Sequence, residues 1–201
     1  MVLFYAMPVQ AQETITIVAF GDSLTQGYGL PIEDGLVPQL QSVLGEDVHL
    51  INAGVSGDTT AGGLARIDWT LSDDVDGVIV SLGGNDLLRG LSPAESRANL
   101  DGILAAISVR GLPVLLVGFA APLNYGPEYK AEFDAIYPDL AEKYQTLHYP
   151  FYFTGLGVGE DTVAMMAFMQ ADATHPNAEG VKMIVEHFSS SVLELVKVAR
   201  P

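Results

Sequence analysis

Five short runs, most of them apolar and free of strict alternation between apolar and polar residues, constrain this chain more than any other feature. They are Thr14–Phe20, Asp47–Asn52, Gly77–Leu82, Pro113–Phe119 and Thr146–Pro150. A strand wetted on one face alternates, whereas a strand covered on both faces is apolar throughout. These runs therefore read as parallel strands lying under helices on either side. Helical stretches separate them. Gly35–Leu44 carries Leu36, Val37, Leu40, Val43 and Leu44 at helical spacing. Ser92-Pro93-Ala94-Glu95 reads as a capping box with proline at the first helical position, opening a helix that runs to Arg110-Gly111. The last helix, from about Pro176 to Val198, places Val181, Ile184, Val185, Phe188, Val192, Leu195 and Val196 on one face. Such alternation predicts an α/β fold with a five-stranded parallel sheet between two helix layers. Ala120–Tyr137 begins as a loop with Pro122, Asn124, Gly126 and Pro127 and then turns helical; it is the expected flap over a site.

Length and composition narrow the class. At 201 residues and 49% hydrophobic, the chain is long enough for one domain with a full core, placed here over residues 13–201. No internal repeat or linker interrupts it. The net charge of -16 argues against a nucleic-acid partner, which needs a basic surface, and reads mainly as a solubility device. With no cysteine, disulfides, thiolate metal sites and cysteine nucleophiles are excluded. His49, His148, His175 and His187 show no metal-ligand spacing, so no metal is expected. The longest mainly apolar run, Leu112 to Leu123, is too short to span a bilayer. Residues 1–12 resemble a signal-peptide remnant or tail, with a short apolar segment and then Val9-Gln10-Ala11 as a small-residue cleavage site; a periplasmic or secreted location follows as the expectation.

Chemistry collects where the strands end. Phe20-Gly21-Asp22-Ser23-Leu24 breaks the first strand and lifts the Ser23 hydroxyl onto a turn. In open parallel sheets that edge is where ligands bind. Asn52-Ala53-Gly54-Val55-Ser56-Gly57-Asp58 follows the second strand, and Ser81-Leu82-Gly83-Gly84-Asn85-Asp86 the third. Glycine-rich turns there let backbone N–H groups face an anion, and Asn85 adds an amide donor. Taken alone, the first of these two blocks also reads as a tight turn with an N-cap, and the second as an Asx-turn. Asp172-Ala173-Thr174-His175-Pro176 precedes the last helix. The positive end of that helix favours the neutral imidazole that a general base must be. All four blocks fall on one edge of a parallel sheet. A serine, a histidine and an aspartate placed so suggest acyl transfer through a serine nucleophile.

On these four blocks, in this order, the chain resembles the GDSL-type, or SGNH, hydrolases. It stands near the bacterial subgroup of multifunctional acyl-CoA thioesterase I, lysophospholipase and arylesterase proteins. The resemblance runs from about Ile15 into the final helix. It implies a three-layer αβα sandwich of flavodoxin-like type. It also implies Ser23 as nucleophile, His175 as base, Asp172 as its orienting partner, and an oxyanion hole from Ser23, Gly57 and Asn85. The implied substrate is a small acyl ester or thioester, cleaved without metal or cofactor. Leu87-Leu88-Arg89-Gly90-Leu91 and Ala120–Tyr125 are of local composition, so no acyl-length preference carries over. The runner-up activity is carbohydrate acetyl-ester cleavage on the same fold. A non-catalytic flavodoxin-like module that binds flavin or phosphate, with Ser23, Thr25 and Gly27 cradling a phosphate group, is the third reading. Ser23 does not stand in Gly-x-Ser-x-Gly, so the α/β-hydrolase elbow does not apply. Gly155-Leu156-Gly157-Val158-Gly159 lacks dinucleotide-loop spacing and reads as a turn.

Overall fold

Each of the five apolar runs becomes a strand. A computed structural model describes residues 14–157 and 165–200. The signal-like segment 1–12 and the second half of the Gly155–Gly159 motif lie outside the described residues; Gly155 to Gly157 form a turn. The strands are β1 (Ile15–Gly21), β2 (Val48–Gly54), β3 (Gly77–Ser81), β4 (Val114–Val117) and β5 (Leu147–Tyr149). All pair in parallel, in the order β2-β1-β3-β4-β5. This is the flavodoxin-like order, and it has one consequence for function. From β1 the chain passes to one side, to β2; it then crosses back over β1 to β3 and continues to the other side, to β4. The connections after β1 and β3 therefore diverge, leaving a crevice at their carboxyl ends.

The expected helices form with adjusted ends. α1 (Ser23–Gln26) is a single turn after β1, and α2 (Leu36–Leu44) follows it. α3 (Thr60–Thr70) was not legible in the apolar pattern. Its buried positions are Thr60, Gly63, Arg66 and Ile67, so small and polar residues take the place of an aliphatic stripe. α4 (Gly84–Leu88) is short, and α5 (Pro93–Val109) buries Leu100, Ile103, Leu104 and Ile107. Pro93 opens α5 as expected, but the capping box is not made, because the Ser92 side chain forms no cap hydrogen bond. α6 (Pro127–Asp134) and α7 (Ile136–Tyr144) complete the segment that begins as a loop at Ala120. The last helix, α8 (Ala178–Ala199), begins two residues later than the sequence suggests. Pro176 is held outside it, bridged to Met169 and with its carbonyl taken by the Gln170 side chain. Asn177 is the cap instead, its side chain accepting from the Gly180 N–H at 3.0 Å.

α2 and α8 pack together on one face of the sheet; α3, α5 and α7 adjoin one another on the other. One hydrophobic cluster runs through all three layers, with Ile17, Val78, Leu116, Ile103 and Ile184 fully buried. The edge strand β2 is shielded locally. Gln41 of α2 donates from Nε2 to the Val48 carbonyl and accepts the Leu50 N–H through Oε1. Its side chain thus stands in for a missing neighbour strand, blunting an edge that would otherwise template pairing.

Candidate active site

Ser23 is the first residue of α1, and Asp22 caps that turn by accepting the Leu24 N–H at 3.0 Å through Oδ1. The turn therefore starts where β1 stops, and the hydroxyl is held at the sheet edge. Across 152 residues of chain, His175 Nε2 stands 2.9 Å from Ser23 Oγ. On the far side of the ring, Nδ1 is 2.7 Å from Asp172 Oδ2. A carboxylate accepts only, so Nδ1 carries the proton and Nε2 presents its lone pair to the serine hydroxyl. Asp172 Oδ1 also accepts the N–H groups of Thr174 and His175, both at 3.0 Å. The His175 N–H, then the Thr174 N–H and the imidazole, hold the Asp172 carboxyl down at about 2, so it is charged at neutral pH.

The later start of α8 removes His175 from the helix terminus, where a dipole acts within one turn. A tight loop does the positioning. Ala173 adopts a left-handed conformation (φ 57°), rare for a residue with a Cβ, and its N–H bonds the Gln170 carbonyl. The strained turn folds the Asp172 carboxylate back onto the N–H groups behind it. Gln170 ties the same loop to the segment after α1, donating from Nε2 to the Tyr28 carbonyl at 2.8 Å. The Tyr28 ring lies against the imidazole, with centroids 4.8 Å apart.

Asn85 enters from the turn after β3. Gly83 at its base has φ 124°, and a Cβ there would strike the Tyr137 hydroxyl, which donates to the Leu82 carbonyl at 3.0 Å. Only glycine satisfies both conditions. Asn85 Nδ2 donates to Asp22 Oδ2 at 3.2 Å. Ser23, Asn85 and His175 line one cleft of about 490 Å³. Gly57 does not line it; it stands on the adjoining loop in a left-handed conformation (φ 82°), its carbonyl accepting from Arg89 Nη2 at 2.8 Å. The rest of the cleft is largely apolar, with Leu24, Leu87, Leu88, Phe119, Phe153 and Met169 among its walls. Ala120, Pro122 and Tyr125 of the expected flap border it too. Neither Ser56, bonded to Gln26 on the surface, nor the buried Ser81 hydroxyl meets an imidazole.

Several residues that hold this site escaped the sequence reading. Arg66 of α3 donates from Nε to Asp58 at 2.6 Å and from Nη2 to the Gly21 carbonyl at 2.8 Å, and its guanidinium lies on the Phe20 ring. It joins the end of β1 to the loop carrying Gly57. Asp86, beside Asn85, accepts the Thr60 N–H at 2.9 Å, the Thr60 hydroxyl at 2.6 Å and the Ser96 hydroxyl at 3.1 Å. It ties the loop after β3 to the start of α3. Asp58 and Asp86 were visible as members of the glycine-rich blocks; their partners, far along the chain, were not.

A hydroxyl, an imidazole and a carboxylate bonded in series at the switch point of a doubly wound sheet define the serine-hydrolase class of αβα protein. The comparisons with known proteins make this specific. The chain belongs to the GDSL-like lipase/acylhydrolase family, whose pattern matches residues 19–183. It is 36% identical to an arylesterase of Vibrio mimicus over 201 residues, covering 98% of this chain and 96% of that protein. It is 37% identical to esterase TesA of Pseudomonas aeruginosa over 176 residues, covering 86% and 85%. Among solved structures, the SGNH-hydrolase family esterase AlinE4 superposes with a TM-score of 0.74 at 45% identity, covering 92% of this chain and 98% of that one.

Proposed function

We propose that this chain is a carboxylic ester hydrolase that works through an acyl-enzyme on Ser23, acting on esters and on thioesters of the same acyl groups. The observation that carries the reading is the bonded series Ser23 Oγ, His175, Asp172, at 2.9 and 2.7 Å. His175 Nε2 takes the Ser23 proton as Oγ attacks the acyl carbonyl. The C=O electrons move onto oxygen, and the oxyanion accepts hydrogen bonds from the Ser23 N–H and the Asn85 amide, with the Gly57 N–H, on the loop adjoining the cleft, assigned as the third donor. The carbonyl re-forms and the bond to the leaving oxygen or sulfur breaks. His175 returns its proton to that atom. Water then attacks the acyl-enzyme, giving its proton to Nε2, and the acid leaves as Ser23 regains its own. Asp172 stays ionised throughout and stabilises the imidazolium. The acyl chain is assigned to the apolar cleft.

Ser23→Ala should retain the fold and lose p-nitrophenyl ester hydrolysis, and a serine-directed phosphonate should label Ser23 alone. Residual turnover in Ser23→Ala, or label on Ser56 or Ser81, contradicts the assignment. In a series of acetate, butyrate and octanoate esters, kcat/KM should rise from acetate to butyrate, since each methylene buried in the cleft contributes up to about 0.8 kcal/mol. Export to the periplasm is part of the same proposal, supported by the apolar segment before Val9-Gln10-Ala11. Terminal sequencing of the protein from the periplasmic fraction checks it; an uncleaved cytoplasmic product refutes it.

A further inference from the structure

One buried charge at the site has no part in the proton transfers. Asp22 is 1% exposed and lies directly before the nucleophile. Burial, its largest influence, pushes its carboxyl up to about 6; hydrogen bonds from Leu24 and Asn85 work the other way. The folded state carries a desolvated carboxylate beside the place where an oxyanion must form. On electrostatics alone that is a poor choice for such a site. As a helix cap it needs no charge, because serine or asparagine would cap a turn as well.

The geometry gives the charge a task. One oxygen of Asp22 is committed to the Leu24 N–H and the other to Asn85 Nδ2. A carboxamide has a donor end and an acceptor end of nearly equal shape. Only the donor end can face a carboxylate; the acceptor end would be repelled. With one Nδ2 hydrogen on Asp22, the second hydrogen on that nitrogen is left for the cleft, which Asn85 lines beside Ser23. We infer that Asp22 is a positioning residue whose carboxylate fixes the flip of the Asn85 amide, keeping its N–H rather than its oxygen toward the oxyanion. This rests on the reading of Ser23 and Asn85 above. A neutral hydrogen-bonding group at position 22 would tolerate either flip, and the wrong one presents an oxygen to a developing negative charge.

Two other roles compete. His175 acts electrostatically on the Asp22 carboxyl, lowering it, so a direct charge interaction with the imidazolium is one competing role. Asp22 could also be only a cap. Its remaining titratable neighbours, the phenols of Tyr137 and Tyr152, are both pushed up by burial and stay neutral at working pH.

A double-mutant cycle on the whole chain separates these roles, with Asp22→Asn, Asn85→Ala and the pair measured for kcat, KM and melting temperature on one ester. Asn85→Ala should lower kcat by about 10²–10³. Asp22→Asn should lower kcat by an amount no larger than that, with KM little changed. In the Asn85→Ala background Asp22→Asn should have almost no further effect on kcat, because the group it orients is gone. Asp22→Ser, which keeps a capping oxygen without charge, should trace the same cycle. If the Asp22→Asn loss persists in full in the Asn85→Ala background, Asp22 acts on His175 and the inference is wrong. If Asp22→Asn and Asp22→Ser lower the melt but spare kcat, Asp22 is a cap only. If Asn85→Ala itself leaves kcat intact, the oxyanion reading fails, and the single variant reports that separately.

Discussion

Asp22 makes a second claim that needs no substrate. Its carboxyl is ordinarily half-protonated at 3.8 and is pushed up to about 6 in the folded protein. The folded state therefore holds this proton more tightly than the unfolded state does. Between these two values stability falls as pH rises; above about 6 the full penalty of the buried charge is present, and below about 3.8 it is gone. At about 1.4 kcal/mol per pH unit, the penalty amounts to about 3 kcal/mol. Asn is the closest neutral mimic of the protonated acid, and its oxygen can still accept the Leu24 N–H. Asp22→Asn should thus be the more stable protein at pH 8. For a domain of this size the gain corresponds to a melting temperature higher by about 5–10 °C. The gap should close as pH is lowered through about 6 and vanish near pH 4. Thermal melts of both proteins across pH 4–8, followed by circular dichroism, measure it. A gap independent of pH, or a variant less stable at pH 8, would refute the argument that desolvation dominates at Asp22. Combined with the expected loss of kcat, a stabilised variant would mean that this site holds its charge at the expense of stability.

His175→Ala should reduce turnover to a trace, and equal activity in this variant and the wild type would move the base to another residue. Asp172→Ala should be milder, and milder than the roughly 10⁴-fold loss typical of buried triad carboxylates, because its side chain is 40% exposed and water can partly replace it. A loss as large as that of His175→Ala would contradict this. Gly83→Ala combines a strained φ with a collision at the Tyr137 hydroxyl. It should cost about 2–4 kcal/mol, lower the melt by roughly 5–15 °C and reduce kcat through Asn85. An unchanged melt would show that the turn can relax.

The residues differ in how openly they declared themselves. Ser23, Gly57, Asn85, Asp172 and His175 stand in short blocks directly after strands one to three or before the last helix, and strand ends are readable from runs of apolar residues. A parallel sheet collects those ends on one edge whatever its strand order. Proline commonly opens helices, so the local sequence places the start of the last helix at Pro176, two residues before the start the structure gives it. Here a bridge to Met169 and a bond from Gln170 hold Pro176 outside, and both partners lie in the loop that packs back on it. Helix α3 escaped because Arg66 and Gly63, not aliphatic residues, fill its inner face, and that substitution makes sense only once Asp58, Gly21 and Phe20 surround it.

By itself, then, the sequence determined the strands, the layering they imply and the chemical types at the edge. Each of these is encoded within a few neighbouring residues, by the period of apolar positions and by turn chemistry. Only the tertiary structure decided that β1 lies between β2 and β3, that the imidazole reaches the hydroxyl from 152 positions away, and that Asp22 is desolvated against Asn85. Burial and pairing are properties of what packs from elsewhere. No local pattern distinguishes an aspartate that merely caps a turn from one that is buried between Ser23 and the Asn85 amide.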